Sequence, residues 1–295
     1  MSLFGKITSL LGHDEEQSHP SRITQEQEKL LKHVIDMTDF RIANMANYGD
    51  TLLPAVNVAQ AYFEQTLDCV PGPIALDSNH PTLARLFPQP EDMVASLGRS
   101  LSVKNELEAL EKAGHARLYA LLGVRSKPGE DGQTVIADHT VRSLGVSPAA
   151  VRHLLKIAAF DSLLQGFANE NLHYDKKLEQ ARMQKELLQE ARLSAARPLA
   201  AALATTPARA HHEQSPEQVL AGLQDWLYAP QSRLRLETGN CYTIAAESAD
   251  EEDWNFPLLV TQDRRQWYVC LIGFPINMAK KALAAEHHNH RFIMI

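Results

Sequence analysis

The chain predicts an α+β fold that is predominantly α-helical: an N-terminal helical body with one β-hairpin and a long helix, then a small C-terminal α+β lobe with an antiparallel sheet. Three observations predict it. Apolar residues recur at intervals of three and four through most of 23–113 and 148–188, the period of an amphipathic helix. Between 115 and 144 the pattern changes to two extended, β-branched runs around a turn. After residue 230, four short extended segments follow one another.

The totals allow such a fold. A chain of 295 residues suits one large domain or two ordinary ones, and 44% apolar with 22% charged residues is enough to bury a core. The charge sum, 29 − 36 = −7, argues against nucleic acid, whose phosphate backbone is met by clustered Lys and Arg. Cys69, Cys241 and Cys270 form neither a CxxC nor a disulfide framework, which points to buried thiols in a reducing compartment. Cys241 and Cys270 are placed to face each other across neighbouring strands. No run approaches the ~20 apolar residues of a membrane span. The first residues, MSLFGKITSLLG, have one Lys, an interrupted apolar run and no cleavage site before Asp14-Glu15-Glu16, so a cytoplasmic protein is expected.

Residues 1–22 read as an amphipathic helix and a polar, loose segment. Leu3, Phe4, Ile7, Leu10 and Leu11 fall within about 120° of a helical wheel. A partner-docking helix has this pattern, and so does a short helix folded back onto the body. With Lys6 as its one cation, the segment offers at most weak peripheral contact with a membrane.

The helical body is expected over 23–196. Its first helix starts near a Ser21 or Thr24 cap and runs to Gly49, with Leu30, Val34, Met37, Met45 and Tyr48 on one face. A second helix carries Leu52, Val56, Ala59, Phe63 and Leu67. The Pro-rich stretch from Pro71 to Pro90 is a structured connection with one helical turn at 82–87. Helices follow at 91–98 and 101–113. The hairpin spans 115–144, with a turn at KPGEDG and a first strand covered on both sides.

Ser147-Pro148 opens the long helix, 148–196. Its first half is apolar on two sides, with Val151, Leu154, Leu155 and Ala158 against Ile157, Phe160, Leu164 and Phe167. Beyond Asn169 it turns polar, with a thin stripe of Tyr174, Leu178, Ala181 and Leu188. A strong helix former with so little apolar surface projects, pairs with a partner or dimerises, a coiled coil being one form of this. Residues 197–215, rich in Ala, Pro and Thr, read as a linker. The lobe at 216–295 begins with the capping box Ser215-Pro216-Glu217-Gln218. It continues with strands at 233–236, 241–246, 256–261 and 266–272, a helix from Pro275 and a final edge strand RFIMI.

The chemistry-bearing motifs are few. His211-His212 and His287-His288-Asn289-His290 are the dense histidines, but a metal site needs three or four ligands converging on one point, so no metal or other cofactor is expected. Asp138 and His139 are strand neighbours on opposite faces, which makes them a poor acid–base pair and His139 a satisfied, half-buried histidine. Neither a GxSxG elbow nor a phosphate-binding glycine loop occurs. The acidic run Asp250–Asp253 followed by Trp254 suits a basic partner, with Trp254 as anchor.

These features predict a non-enzymatic, adaptor-like or regulatory interaction protein. It would bind a protein partner, or a second copy of itself through 172–196, using Leu3, Phe4, Ile7, Leu10, Leu11, Tyr174, Leu178, Leu188 and Trp254. Two alternatives stay open: a hydrolase-like enzyme with a site near Asp77, Asn79 and His80, and a small-ligand sensor in the C-terminal lobe.

Overall fold

A computed structural model describes residues 23–78, 81–128, 134–193, 214–244, 254–261 and 266–290. The fold is α+β and mostly helical. Its helices are α1 (Gln25–Met37), α2 (Tyr48–Asp68), α3 (Pro81–Leu86), α4 (Pro90–Arg99), α5 (Leu101–Lys112), α6 (Pro148–Leu193), α7 (Pro216–Tyr228) and α8 (Ile276–His290). Its strands are β1 (Ile74–Ala75), β2 (Arg117–Pro128), β3 (Thr134–Gly145), β4 (Leu234–Ile244), β5 (Trp254–Thr261) and β6 (Gln266–Pro275). Among the described residues no helix is long and apolar enough to cross a membrane.

Two compact units divide the chain: Met1–Ala59 with Asp161–Tyr228, and Gln60–Phe160 with Ala229–Ile295. The division cuts α2 and α6. It also departs from the expected partition into a body ending at 196 and a lobe starting at 216. The hairpin assigned to the first and the strands assigned to the second share one sheet, in the order β3-β2-β6-β5-β4 with β1 beside β6. Periodicity reports local structure and is blind to which distant strands pair.

In the first unit, Thr24 and Gln27 close a capping box at the start of α1: the Gln27 N–H donates to Thr24 Oγ1 (3.3 Å) and the Thr24 N–H to Gln27 Oε1 (2.8 Å). Leu30, Leu31, Val34 and Ile35 form its buried stripe. The helix stops at Met37 instead of running to Gly49. Asp39 adopts an extended backbone and offers its carboxylate to the Arg41 N–H (2.9 Å), which starts a 3-10 turn over Phe40–Asn44. Aspartate competes in this way with continued helix. Gly49 lies inside α2, where a Cβ would come within 2.7 Å of Ile23 Cδ1, so its use is close packing and not capping.

The capping box opening α7 is present too, with the Gln218 N–H donating to Ser215 Oγ and the Ser215 N–H to Gln218 Oε1. Val219, Leu220, Leu223 and Leu227 are buried. Trp226 Nε1 donates to the Leu163 carbonyl at 2.9 Å, and its ring meets Phe167 edge-on at 5.7 Å. Gln224 Nε2 donates to the Thr51 carbonyl. These bonds dock α7 against both the start of α2 and the first half of α6. Along α6 itself, Val151, Phe160, Leu164 and Phe167 are buried, Leu155 and Ile157 are half-buried, and Leu154 and Ala158 reach solvent, so neither expected apolar stripe is fully covered, the Ile157–Phe167 stripe being the better buried.

The second unit is organised by its sheet. β2 lies between β3 and β6 and is antiparallel to both, and its consecutive residues Ala120–Val124, which alternate between the two faces, are all buried, the two-sided coverage its apolar run predicts. On one face, Leu118, Ala120, Leu122 and Val124 of β2 share a core with Phe256, Cys270, Ile272 and Phe274. Leu86 and Phe87, Leu97 of α4, Val103 and Leu107 of α5, and Ala279 and Ala282 of α8 close that core. At Gly98 a Cβ would meet the Ala282 carbonyl oxygen at 2.7 Å, so α4 and α8 approach closely where no side chain intervenes.

The Pro-rich connection is laced to β6, with the Leu271 N–H donating to the Pro71 carbonyl (2.7 Å) and the Leu76 N–H to the Gly273 carbonyl (2.8 Å). Gly72, at φ +110°, makes the tight approach to Leu271 that an L side chain would block. Edge strand β3 is blunted by the start of α5. There Ser100 Oγ donates to the Val141 carbonyl (2.9 Å), and the Ser143 N–H donates to Ser102 Oγ (3.1 Å).

The segments 233–236 and 241–246 merge into β4, with a register break between Glu237 and Tyr242. Because β5 separates β4 from β6, Cys241 and Cys270 do not face each other on neighbouring strands. Burial pushes the Cys270 thiol far up from its ordinary pKa, whereas Cys69 is exposed and Cys241 half-buried. Only one of the three thiols is therefore the inert, buried kind expected of all three.

Candidate interaction surface

The second half of α6 carries two apolar stripes on opposite sides. At about 100° per residue, Tyr174, Leu178, Ala181 and Leu188 span about 80° of the helix, and Leu172, Met183 and Leu187 span about 60° of the far side. The first stripe faces inward at Leu178, which is 7% exposed. Tyr174 is half-buried, and of Leu188 only the helical backbone is described. Leu178 is thus a packing residue and not a free docking residue, which corrects its expected role. The second stripe points to solvent: Leu172 is 53%, Met183 59% and Leu187 56% exposed.

A turn beside this helix adds a further apolar group. Arg41 Nε and NH2 donate to both oxygens of Asp39 at 2.6 to 3.0 Å, and NH2 also reaches Asp175 Oδ2 of α6 at 3.3 Å. Burial raises the pKa of the Asp39 carboxyl. The hydrogen bonds and positive charge of Arg41 outweigh that cost and hold it below its ordinary value. Between the two clamped residues Phe40 stands 80% exposed, the most exposed large apolar side chain among the described residues. Leu172 lies about 60° around the helix from Asp175 and one turn away, so it flanks the point where the Phe40 turn is anchored.

The remaining expected site residues are placed otherwise. Leu3, Phe4, Ile7, Leu10 and Leu11 lie outside the described residues, as do Asn79, His80, His211, His212 and the acidic run 250–253. Trp254 is half-buried at the start of β5, packed against the sheet core with its ring stacked on Phe256 at 6.3 Å, and is not a free anchor. Asp77 takes two hydrogen bonds from the Arg117 guanidinium (3.0 and 2.6 Å), whose donors hold its carboxyl below the usual range. His139 stacks on Phe87 at 4.6 Å with a ring nitrogen bonded to the Leu86 carbonyl, the satisfied histidine its strand position implies. Trp267 and Tyr268 alternate across β6. Tyr268 packs on the core, and Trp267 lies under the Arg125 guanidinium at 4.7 Å.

His33 Nε2 and Asp161 Oδ1 pair at 2.8 Å, both well exposed, where water screens such an interaction. Among the described residues no group of three or more His, Cys, Asp or Glu is arranged to hold a metal ion.

Phe40, Leu172, Met183 and Leu187 escaped the sequence reading. A signal was present: spacings of eleven and four residues return Leu172, Met183 and Leu187 to one face, since eleven residues are about three turns. Compared with known proteins, the chain matches no family model, no curated sequence and no solved structure.

Proposed function

We propose that the chain is a non-enzymatic, adaptor-like interaction protein of the cytoplasm that binds through the outer face of α6, with a second copy of itself as one partner. The observation that carries this is the solvent-facing stripe of Leu172, Met183 and Leu187 on the outer side of the helix, opposite the stripe that packs inward at Leu178. Three side chains form a small interface compared with the roughly 800 Å² per partner of a stable complex, so the association is weak and depends on concentration.

Deleting 172–196 would be a poor test, because it removes buried Leu178 and the Asp175 partner of Arg41. The better comparison is light scattering of the full chain and its Met183→Glu/Leu187→Glu variant over a concentration series. The full chain should rise toward twice the monomer mass while the variant stays monomeric. A full chain that stays monomeric throughout removes self-association, and a variant that associates equally well shows that another surface is used.

A further inference from the structure

We propose that Met183 is a reversible oxidation site, where a hydroperoxide converts the thioether to the sulfoxide and so weakens association through the outer face of α6. The inference rests on the reading of that face as a docking surface and adds its regulation. Two observations carry it. Of the five methionines among the described residues, Met183 alone is exposed, at 59%. Met37, Met45, Met93 and Met278 are half-buried, and Met93 and Met278 pack against the core of the sheet. Oxidation follows exposure, so a peroxide meets Met183 first. The same side chain lies within the solvent-facing stripe, eleven residues after Leu172 and four before Leu187. A change of its polarity is therefore a change of the surface itself.

The step balances. The Met183 sulfur attacks the terminal oxygen of the hydroperoxide, and an S–O bond forms as the O–O bond breaks. Sulfur gives up two electrons and the peroxide takes them. The proton of the attacked oxygen passes to the departing one, which leaves as water or an alcohol. A polar, chiral sulfoxide then stands where a flexible apolar side chain stood. Its oxygen draws hydrogen bonds from water that Leu172 and Leu187 cannot supply, so burying it in an apolar contact is disfavoured. In a two-fold pair each copy brings its own Met183, so oxidation acts twice on one interface. Reduction of the sulfoxide restores the thioether, which makes the change reversible.

Dilute hydrogen peroxide on the full chain tests this, with peptide mass spectrometry to map oxidation and light scattering to follow pairing. The thiols are alkylated first, because exposed Cys69 would also react. Met183 should oxidise several-fold faster than Met37, Met45, Met93 and Met278. The midpoint concentration for pairing should rise by about tenfold, and methionine sulfoxide reductase should bring it back. In a Met183→Leu chain the same treatment should not shift that chain's own midpoint. Equal oxidation of all five methionines, or an equal shift in the Met183→Leu chain, overturns the proposal. A Met183 sulfoxide that pairs as well as the thioether also overturns it and leaves the docking surface intact. Failure of the docking reading shows separately, before any peroxide is added, as a full chain that stays monomeric, and it takes the regulation with it.

Discussion

Phe274→Ala is expected to lower stability by about 4 kcal/mol, from lost transfer energy plus the cavity left behind. Phe274 has no solvent exposure, pairs with Leu118 across β2 and β6, and packs in the core closed by α4, α5 and α8. No single neighbour can collapse into the space, because the sheet backbone and three helices hold its walls. Against a typical total of 5–15 kcal/mol, such a loss is a large share. Denaturant unfolding followed by far-UV circular dichroism should show the midpoint falling sharply with an unchanged slope. A loss below about 1 kcal/mol would mean that this core is not packed as described.

Arg41→Ala is the second large effect, at about 3 kcal/mol, because it strands the Asp39 carboxylate, which is 8% exposed, without a countercharge. The same pair predicts a pH dependence. Asp39 has a folded pKa below its ordinary value, so its contribution is complete above the unfolded value near ~3.9 and is lost as pH falls through the lower folded value. Acid titration of the wild-type chain should show this loss below pH ~4, and the Arg41→Ala chain should lack it. If both chains keep the same acid profile, Asp39 is not held by Arg41. The substitution also frees Phe40 from its clamped turn, so any binding that uses Phe40 should weaken with it.

Much of the fold was legible because it is written locally. The capping box at Ser215–Gln218, a cap at one of Ser21 and Thr24, the Ser147-Pro148 start of α6, the apolar run of β2 and the alternation of β3 all act over a few residues, and Thr24 proves to be the cap that α1 uses. Two features were not legible, for physical reasons. The early end of α1 depends on Asp39 finding Arg41 and on Arg41 finding Asp175, a contact 134 residues away. The sheet depends on β2 pairing with β6 across most of the chain, which no local period encodes.

The interaction surface was legible in part. The sequence marks the second half of α6 as a helix with one thin apolar stripe, and a second lies on its opposite side. Which of them turns inward depends on what packs against it. Residues alone favoured Tyr174–Leu178, whereas burial of Leu178 leaves Leu172, Met183 and Leu187 to solvent. Phe40 was hidden because a phenylalanine between Asp39 and Arg41 looks like the inner face of a longer helix.

One pair of unfolding curves tests this sidedness most directly: denaturant titration of Leu178→Ala beside Leu187→Ala. The account predicts a loss of about 2–3 kcal/mol for the first and less than about 0.5 for the second. Equal losses, or the reverse order, would contradict it, because the face proposed for docking would then be the one the protein uses to hold itself together.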